Sequence, residues 1–313
     1  MVSWSIYDHV APVYFEAWND AMSGVVTEQW FPGGRHSGKS MNIARELIAM
    51  FCAVGNESCH AVVFRKHQVD LRESVYSEIR SAIEEMGLAR LFHFDISRLR
   101  IIRQDTGQVI FFHGLDDPQK HKSKKPPFGY VKWMWFEELD EFRSYQEIDS
   151  VSISYQRGPK DAKFLQFFSY NPPRSVANWV NAEASTHKPG RKVYRTDYRD
   201  LIEMGWISQS VLSRIEYAKS QNIENYKHVY LGIPTGTGGE IFTNVKDETI
   251  TDEMISEFSN KNYGMDFGIV NDPTVLVGTY YDSDKDYIYI FDEWSKMHPY
   301  FTDVHDALVR KRL

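Results

Sequence analysis

Apolar positions along the chain follow two spacings, one typical of buried strands and one typical of helix faces. Short apolar runs bounded by turn residues predict strands, and apolar residues three or four positions apart predict a helix. The predicted strands cover residues 28–31, 61–64, 99–102, 109–112, 130–136 and 164–168. The clearest helix begins at Lys39, and its apolar face comprises Ile43, Leu47, Met50, Phe51 and Val54. A second helix has Leu71, Val75 and Ile79 on one face.

The order of these elements predicts the fold class. Strands alternate with helices, which favours an α/β fold with a mostly parallel central sheet. Residues 99–102 and 109–112 flank the turn Asp105-Thr106-Gly107 and predict a hairpin.

A second, smaller domain is expected after a linker. Residues 234–239 are rich in proline and glycine, which is typical of a connecting segment. We therefore expect one domain over residues 1–235 and another over residues 236–313. Strand-like runs of the second domain surround Met265, Val275 and Tyr289, and a helix follows through Val304, Ala307 and Leu308.

Composition changes this picture only in part. A chain of 313 residues, 42% of them apolar, has room for about two folded domains. No apolar run approaches the length of a membrane span, and the N-terminus lacks a secretory pattern, so we expect a cytoplasmic protein without membrane contact. Cys52 and Cys59 have no partnering pair for zinc and are expected to be reduced. The net charge of −7 indicates that any DNA contact needs local basic patches.

A phosphate-binding loop is the most specific motif. The run Gly33-Gly34-Arg35-His36-Ser37-Gly38-Lys39-Ser40 fits G-x-x-x-x-G-K-[ST], the P-loop or Walker A pattern. In such a loop backbone N–H groups surround nucleotide phosphates, the lysine reaches the β- and γ-phosphates, and the serine hydroxyl takes a Mg²⁺ position. The following helix adds its dipole to the same anion site. The alternative is a glycine- and serine-rich loop that matches by chance.

Two adjacent carboxylates end a predicted buried strand. Residues 131–136 run directly into Glu137 and Glu138. In a hydrolytic P-loop site the first acid holds Mg²⁺ and the second orients and deprotonates the attacking water. The alternative is a solvated turn, since Leu139-Asp140-Glu141 continues the acidic run. Kinases of small metabolites need no second carboxylate, so the pair favours an ATPase.

Three further polar residues are candidates at the same site. Ser169 and Asn171 follow the next predicted strand. In this type of sheet the strand ends lie beside the γ-phosphate of a bound nucleotide. The alternative is a plain proline turn. Arg35 is placed to stabilise charge on the γ-phosphate, as an arginine finger does. The alternative is an exposed basic residue screened by water.

Together these pieces resemble the large terminase subunit of tailed bacteriophages, the motor that packages DNA into procapsids. The main residues that carry the resemblance are the P-loop, Trp135-Phe136-Glu137-Glu138 and Ser169-Tyr170-Asn171-Pro172-Pro173. Further similar segments are Val63-Phe64-Arg65-Lys66, Gly114-Leu115-Asp116-Asp117, Tyr230-Leu231-Gly232, Tyr263-Gly264-Met265-Asp266-Phe267-Gly268 and Asp272-Pro273.

The resemblance implies roles for individual residues. Lys39 and Ser40 would bind ATP and Mg²⁺, with Glu137 as the metal-site acid and Glu138 as the catalytic base. Arg35 would assist hydrolysis, and Ser169 and Asn171 would couple hydrolysis to movement. Glutamate at Glu137 departs from the commoner aspartate. The implied partners are double-stranded DNA, the portal protein and the small terminase subunit, in an oligomeric ring within the host cytoplasm.

The family's second domain is a nuclease similar to RNase H, in which carboxylates hold two Mg²⁺ or Mn²⁺ ions about 3.5–4 Å apart. Asp266 matches the acid of its first strand. The family's second acid lies on a fourth strand, and this chain ends before it, so we expect a truncated nuclease domain. Glu293 ends a strand expected about 9.6 Å from the first and is a poor substitute ligand. The prediction is weak or absent DNA cleavage.

Two rival functions stay open from the residues. One is a helicase-like, DNA-dependent ATPase, and the other is a non-catalytic remnant that only binds nucleotide or assembly partners. The basic loop at residues 120–125 is a candidate DNA contact, although such charge runs are more often solvated faces.

Overall fold

The computed structural model describes residues 5–116, 126–236, 248–268 and 273–311. It has two compact units, residues 1–241 and residues 242–313. The basic loop at residues 120–125, part of the expected linker and Asp272 lie outside the described residues. The expected domain boundary, between residues 235 and 236, falls shortly before the division between the units.

An eight-stranded sheet forms the centre of the first unit. Its strands are β1 Glu28–Pro32, β2 Cys59–Arg65, β3 Phe92–Asp95, β4 Arg100–Arg103, β5 Val109–Gly114, β6 Tyr130–Glu137, β7 Leu165–Tyr170 and β8 Arg191–Val193. The strand order is β3-β4-β5-β2-β6-β7-β1-β8. All neighbours from β5 to β8 pair in parallel, and β3 and β4 form an antiparallel edge. The predicted α/β class and the hairpin are confirmed.

Helices cover both faces of this sheet. They are α1 Phe15–Ser23, α2 Lys39–Cys52, α3 Ser77–Glu85, α4 Tyr145–Tyr155, α5 Trp179–Ala184, α6 Gln209–Gln221 and α7 Ile223–Leu231. Side chains of β6 alternate between two apolar clusters, with Trp133 and Trp135 on the α2 side and Met134 and Phe136 on the α4 side. A strand buried on both faces reads as a continuous apolar run, which is why the sequence revealed it.

Two details of the predicted helices are wrong. The first helix ends at Cys52, because Ala53 is extended, and Val54 is exposed. The second is interrupted: a π-turn spans Arg72–Tyr76, where Ser74 has φ −107° and ψ −105°. The hydroxyl of Ser74 donates to the carbonyl of Asp70 at 2.5 Å, a local bond that competes with a regular helix.

The second unit is a small antiparallel sheet with two helices. Its strands are β9 Lys261–Asp266, β10 Thr274–Asp282 and β11 Tyr287–Lys296, in the order β11-β10-β9, and its helices are α8 Asp252–Glu257 and α9 Phe301–Arg310. The three predicted strands and the predicted C-terminal helix are therefore present. The order also confirms that β11 lies two strand spacings from β9.

Candidate nucleotide-binding site

The P-loop connects β1 to α2 at the carboxyl edge of the sheet. Gly38 takes a left-handed conformation with φ 75° immediately before the helix begins at Lys39. The helix has no side-chain cap and no acidic residue in its first turn. Its first N–H groups and the positive end of its dipole therefore face the loop unopposed, which is the arrangement of an anion site.

Side chains from neighbouring strands meet the start of α2, because β1, β7 and β6 are adjacent and parallel. The ammonium group of Lys39 donates to Oδ1 of Asn171 at 2.8 Å. The hydroxyl of Ser40 donates to Oε1 of Glu137 at 2.6 Å. The P-loop lysine, the P-loop serine and the predicted acid thus converge on one place.

A second set of bonds fixes the acids. The hydroxyl of Ser169 donates to the other oxygen of Glu137 and accepts from the indole of Trp135 at 2.7 Å. The amide of Asn171 lies 3.5 Å from Oε2 of Glu138. Ser169, within β7, therefore contacts Glu137, and Asn171, directly after β7, contacts Glu138, which a plain proline turn would not do.

The acids repel one another in a buried setting. Burial and the charge of Glu138 raise the pKa of Glu137 to about 7. Burial and the charge of Glu138 also raise the pKa of Asp140 to about 6. Burial lowers the pKa of Lys39, against the opposing effect of Glu137 and Glu138. A bound cation would relieve this excess of negative charge.

The donor set fits Mg²⁺. A hydroxyl and a carboxylate oxygen lie together at Ser40 and Glu137, and Mg²⁺ is held in such sites by one or two protein oxygens, waters and substrate phosphates. Among the described residues no cluster of three or more His, Cys, Asp or Glu side chains is arranged to hold a metal ion. A P-loop site does not need such a cluster, because the substrate supplies the remaining ligands.

Glu138 has a strained backbone. It adopts the left-handed conformation, with φ 51° and ψ 59°, where a residue other than glycine costs about 1 kcal/mol or more. The turn Leu139–Glu141 follows, and the amide of Glu141 donates to the carbonyl of Glu138 at 3.0 Å. Strain of this kind collects at functional sites, and the sequence carried no signal for it.

The outer side of the P-loop packs against the end of α7. The amide of Arg35 donates to the carbonyl of Val229 at 2.8 Å, and the ring of His36 stacks on Tyr230. The Arg35 side chain is exposed and makes no hydrogen bond or ion pair with any residue that the structure describes. It is nevertheless close enough to Lys39 for its charge to add to the effect of burial on the lysine pKa.

A cavity of about 210 Å³ adjoins this site on the side of β2. Ser40, Glu137, Glu138 and Arg65 line it, together with Glu78 from α3. The guanidinium of Arg65 donates to Glu141 at 2.8 Å, so this residue links the end of β2 to the acidic turn. Two sequence signals pointed to Arg65: its position directly after a predicted strand, and the segment Val63-Phe64-Arg65-Lys66 that carries part of the family resemblance.

The acids of the second unit do not converge. Asp266 ends β9 and Glu293 lies on β11, and both side chains are exposed. In this register their Cα atoms lie two strand spacings apart across the sheet and two residues apart along the strand direction. This corresponds to a separation of about 12 Å. That distance is too long for ligands of the same ion.

The described helices do not reach across a bilayer. None of them, within the ranges given above, has both the length and the apolar character that a membrane crossing requires.

The chain matches known proteins in sequence and in fold. A model of the phage terminase large subunit family, Terminase_3, matches residues 27–233. The large terminase subunit of Bacillus phage SPP1 is 31% identical over 286 residues, which cover 90% of this chain and 67% of that protein. The large terminase of a thermophilic bacteriophage has a TM-score of 0.56 at 12% identity, covering 96% of this chain and 73% of that one. The same thermophilic phage protein in complex with ADP gives a TM-score of 0.54 at 12% identity, with the same coverage.

The structural matches and the sequence matches support different conclusions. At 12% identity the structural matches show a common fold. The family model covers more than half of the chain, and the SPP1 protein is similar over most of it. The chain therefore belongs to the phage terminase large subunit family.

Proposed function

We propose that this chain is an ATP-hydrolysing motor that moves double-stranded DNA into a phage procapsid. The observation that carries the proposal is the convergence of Lys39, Ser40 and Glu137 at the carboxyl edge of the parallel sheet. Membership of the terminase family supports the packaging role. The complex of the thermophilic phage large terminase with ADP supports nucleotide binding at this fold.

Each side chain has a distinct role in this proposal. The N–H groups at the start of α2 and the ammonium group of Lys39 bind the phosphates. Ser40 and Glu137 would hold Mg²⁺, which would shield phosphate charge and polarise the γ-phosphoryl group. Glu138 orients the attacking water and accepts its proton. Arg35 stabilises the charge that develops on the γ-phosphate.

Ser169 and Asn171 are proposed to couple ATP hydrolysis to movement of the chain. Both contact the acids, so loss of the γ-phosphate changes the charge that they face. The chain after them leads to the linker, where Gly236 exchanges backbone hydrogen bonds with Arg174 and Val176 at 3.0 and 3.3 Å. A shift of this loop would therefore move the segment that leads to the second unit.

The proposed partners are those of a packaging motor. They are double-stranded DNA, the portal protein and the small terminase subunit, with several copies of this chain in a ring on the portal in the host cytoplasm. Because the net charge is −7, a DNA contact would require a local basic surface.

Phosphate release in the presence of double-stranded DNA tests the motor. Glu138→Gln should lower the rate by 100-fold or more, on the order of the contribution of a general base. Glu203→Gln, at an exposed glutamate, is the matched control and should leave the rate unchanged. An unaltered rate in Glu138→Gln would refute the assignment. Strand separation by the purified protein would instead favour a helicase.

For the second unit we propose weak or absent DNA cleavage. Asp266 is the candidate metal-binding and catalytic acid for Mg²⁺ or Mn²⁺, and Glu293 is too distant to share its ion. Plasmid nicking with Mn²⁺ tests this. We expect no nicking, and nicking that is lost in Asp266→Ala would contradict the proposal.

A further inference from the structure

The N-terminal segment reaches underneath the P-loop. Tyr14 lies in the turn Pro12–Tyr14, is fully buried, and places its hydroxyl 2.9 Å from the carbonyl oxygen of Ser37. The same hydroxyl lies 2.9 Å from Oγ1 of Thr196. A phenol has one hydrogen, and a carbonyl only accepts, so Tyr14 donates to Ser37 and Thr196 donates to Tyr14.

These bonds hold the loop at both ends. Thr196 continues the line of β8 and pairs with Gly33, the first residue of the loop. Ser37 lies at the other end, one residue before Gly38 and the start of α2. A single buried hydroxyl therefore connects the two ends of the loop from the side of the protein core.

The bond to Ser37 also orients a phosphate-binding amide. The carbonyl of residue 37 and the N–H of Gly38 belong to one planar trans peptide, so they point in opposite directions. A carbonyl held toward Tyr14 in the core turns the Gly38 N–H outward, to the side where a P-loop surrounds phosphates. The segment that carries Tyr14 is itself anchored, because the amide of Ala11 donates to Asn42 of α2 at 2.8 Å.

We propose that Tyr14 is a positioning residue for ATP binding, which sets the P-loop conformation through the carbonyl of Ser37 without touching the nucleotide. The inference rests on the proposed nucleotide site. A phenol is protonated at neutral pH, and burial raises the pKa of Tyr14 further above its ordinary value, so the donated bond persists over the working pH range. Because the bond shapes the loop before and during reaction alike, it contributes to binding and not to the chemical step.

The test compares Tyr14→Phe with the wild-type chain by calorimetric titration with ADP and by steady-state ATP hydrolysis. Removal of the hydroxyl breaks both of its bonds, and loss of the bond to Ser37 should raise the Kd for ADP and the KM for ATP about tenfold, with kcat within about twofold. Tyr155→Phe is the matched control: this hydroxyl is buried on the opposite face of the sheet and has no partner among the described residues. Its removal should change neither constant.

A purely structural role gives a different result. If Tyr14 only stabilised the fold, Tyr14→Phe would lower the melting temperature and the fraction of binding-competent protein. The Kd of the folded molecules would stay at the wild-type value. That outcome overturns the proposal. If Tyr14→Phe fails to fold, Thr196→Val should raise the Kd about threefold and Thr196→Ser should restore it. A wild-type Kd in Thr196→Val would then overturn the proposal. Absence of ADP binding by the wild-type chain would instead refute the nucleotide site itself.

Discussion

Replacement of Gly34 by alanine should displace the P-loop from the end of α7. An ideal Cβ on Gly34 would lie 2.1 Å from the carbonyl oxygen of Tyr230, 2.3 Å from its carbonyl carbon and 3.0 Å from the amide nitrogen of Gly232. These are backbone atoms, which cannot rotate out of the way as a side chain can. Ordinary contact needs about 3.5 Å, so the two segments must separate by more than about 1 Å.

The size of the effect follows from the contacts that would be lost. Overpacking of a close contact costs about 1–3 kcal/mol. Separation also breaks the bond from the amide of Arg35 to Val229, with a net contribution of about 1 kcal/mol. The free energy of unfolding should therefore fall by about 2–4 kcal/mol, which corresponds to a melting temperature lower by roughly 5–15 °C for a domain of this size.

Circular dichroism melting and ADP titration measure this effect, with two control variants. Gly87→Ala has open space for a Cβ but a φ of +72°, so it reports the cost of left-handed strain alone. Gly264→Ala has open space and no left-handed φ, and should be close to neutral. We expect Gly34→Ala to melt well below both controls and to bind ADP more weakly. If Gly34→Ala melts within about 1 °C of Gly264→Ala, on the order of the measurement error, the close approach does not exist in solution.

Two further predictions concern buried charges. Burial raises the pKa of Glu46 well above 4.5, so the folded state retains a proton that the unfolded state releases, and stability falls as pH rises above 4.5 toward the folded pKa. Glu46→Gln removes this loss. In urea unfolding, its free energy of unfolding relative to the wild-type chain should therefore rise with pH by up to about 1.4 kcal/mol per pH unit. A difference between the two chains that stays constant from about pH 5 to 8 would contradict the assignment. Lys66 and Glu147 form a largely buried ion pair at 2.5 Å, with each side chain 11% exposed. Lys66→Met should lower the free energy of unfolding by about 3–5 kcal/mol, because it leaves the carboxylate of Glu147 without its cation. The double variant Lys66→Met with Glu147→Gln should recover much of this loss. Equal stabilities of the single and double variants would argue against the pair.

Local patterns predicted the core of the fold well. β1, β2, β6 and β7 are buried on both faces, so their apolar runs stand out from the polar turns around them. The start of α2 was visible because the P-loop pattern and the helical spacing of Ile43 and Leu47 coincide. Helix α4 carries a similar signal that the predicted elements omit, since Ile148, Val151 and Tyr155 also have helical spacing.

Other features depend on contacts that sequence spacing does not reveal. Strand β8 is three residues long and only half-buried, so it has little apolar pattern of its own. The left-handed backbone of Glu138 and the contact of Tyr14 with Ser37 arise from tertiary packing. The acids were predicted by type and position, whereas the raised pKa of Asp140 results from burial beside Glu138 and required the structure.

The central feature of the proposed site is one nucleotide held by Lys39 and Ser40 beside Glu137. Titration of ADP with and without Mg²⁺ measures this. Lys39→Ala should weaken binding at least about tenfold in both conditions, and Ser40→Ala should abolish only the part of the affinity that Mg²⁺ adds. Lys219→Ala, at an exposed lysine on α6, should bind as the wild-type chain does. Wild-type affinity in Lys39→Ala, or an unchanged Mg²⁺ effect in Ser40→Ala, would contradict the proposed site.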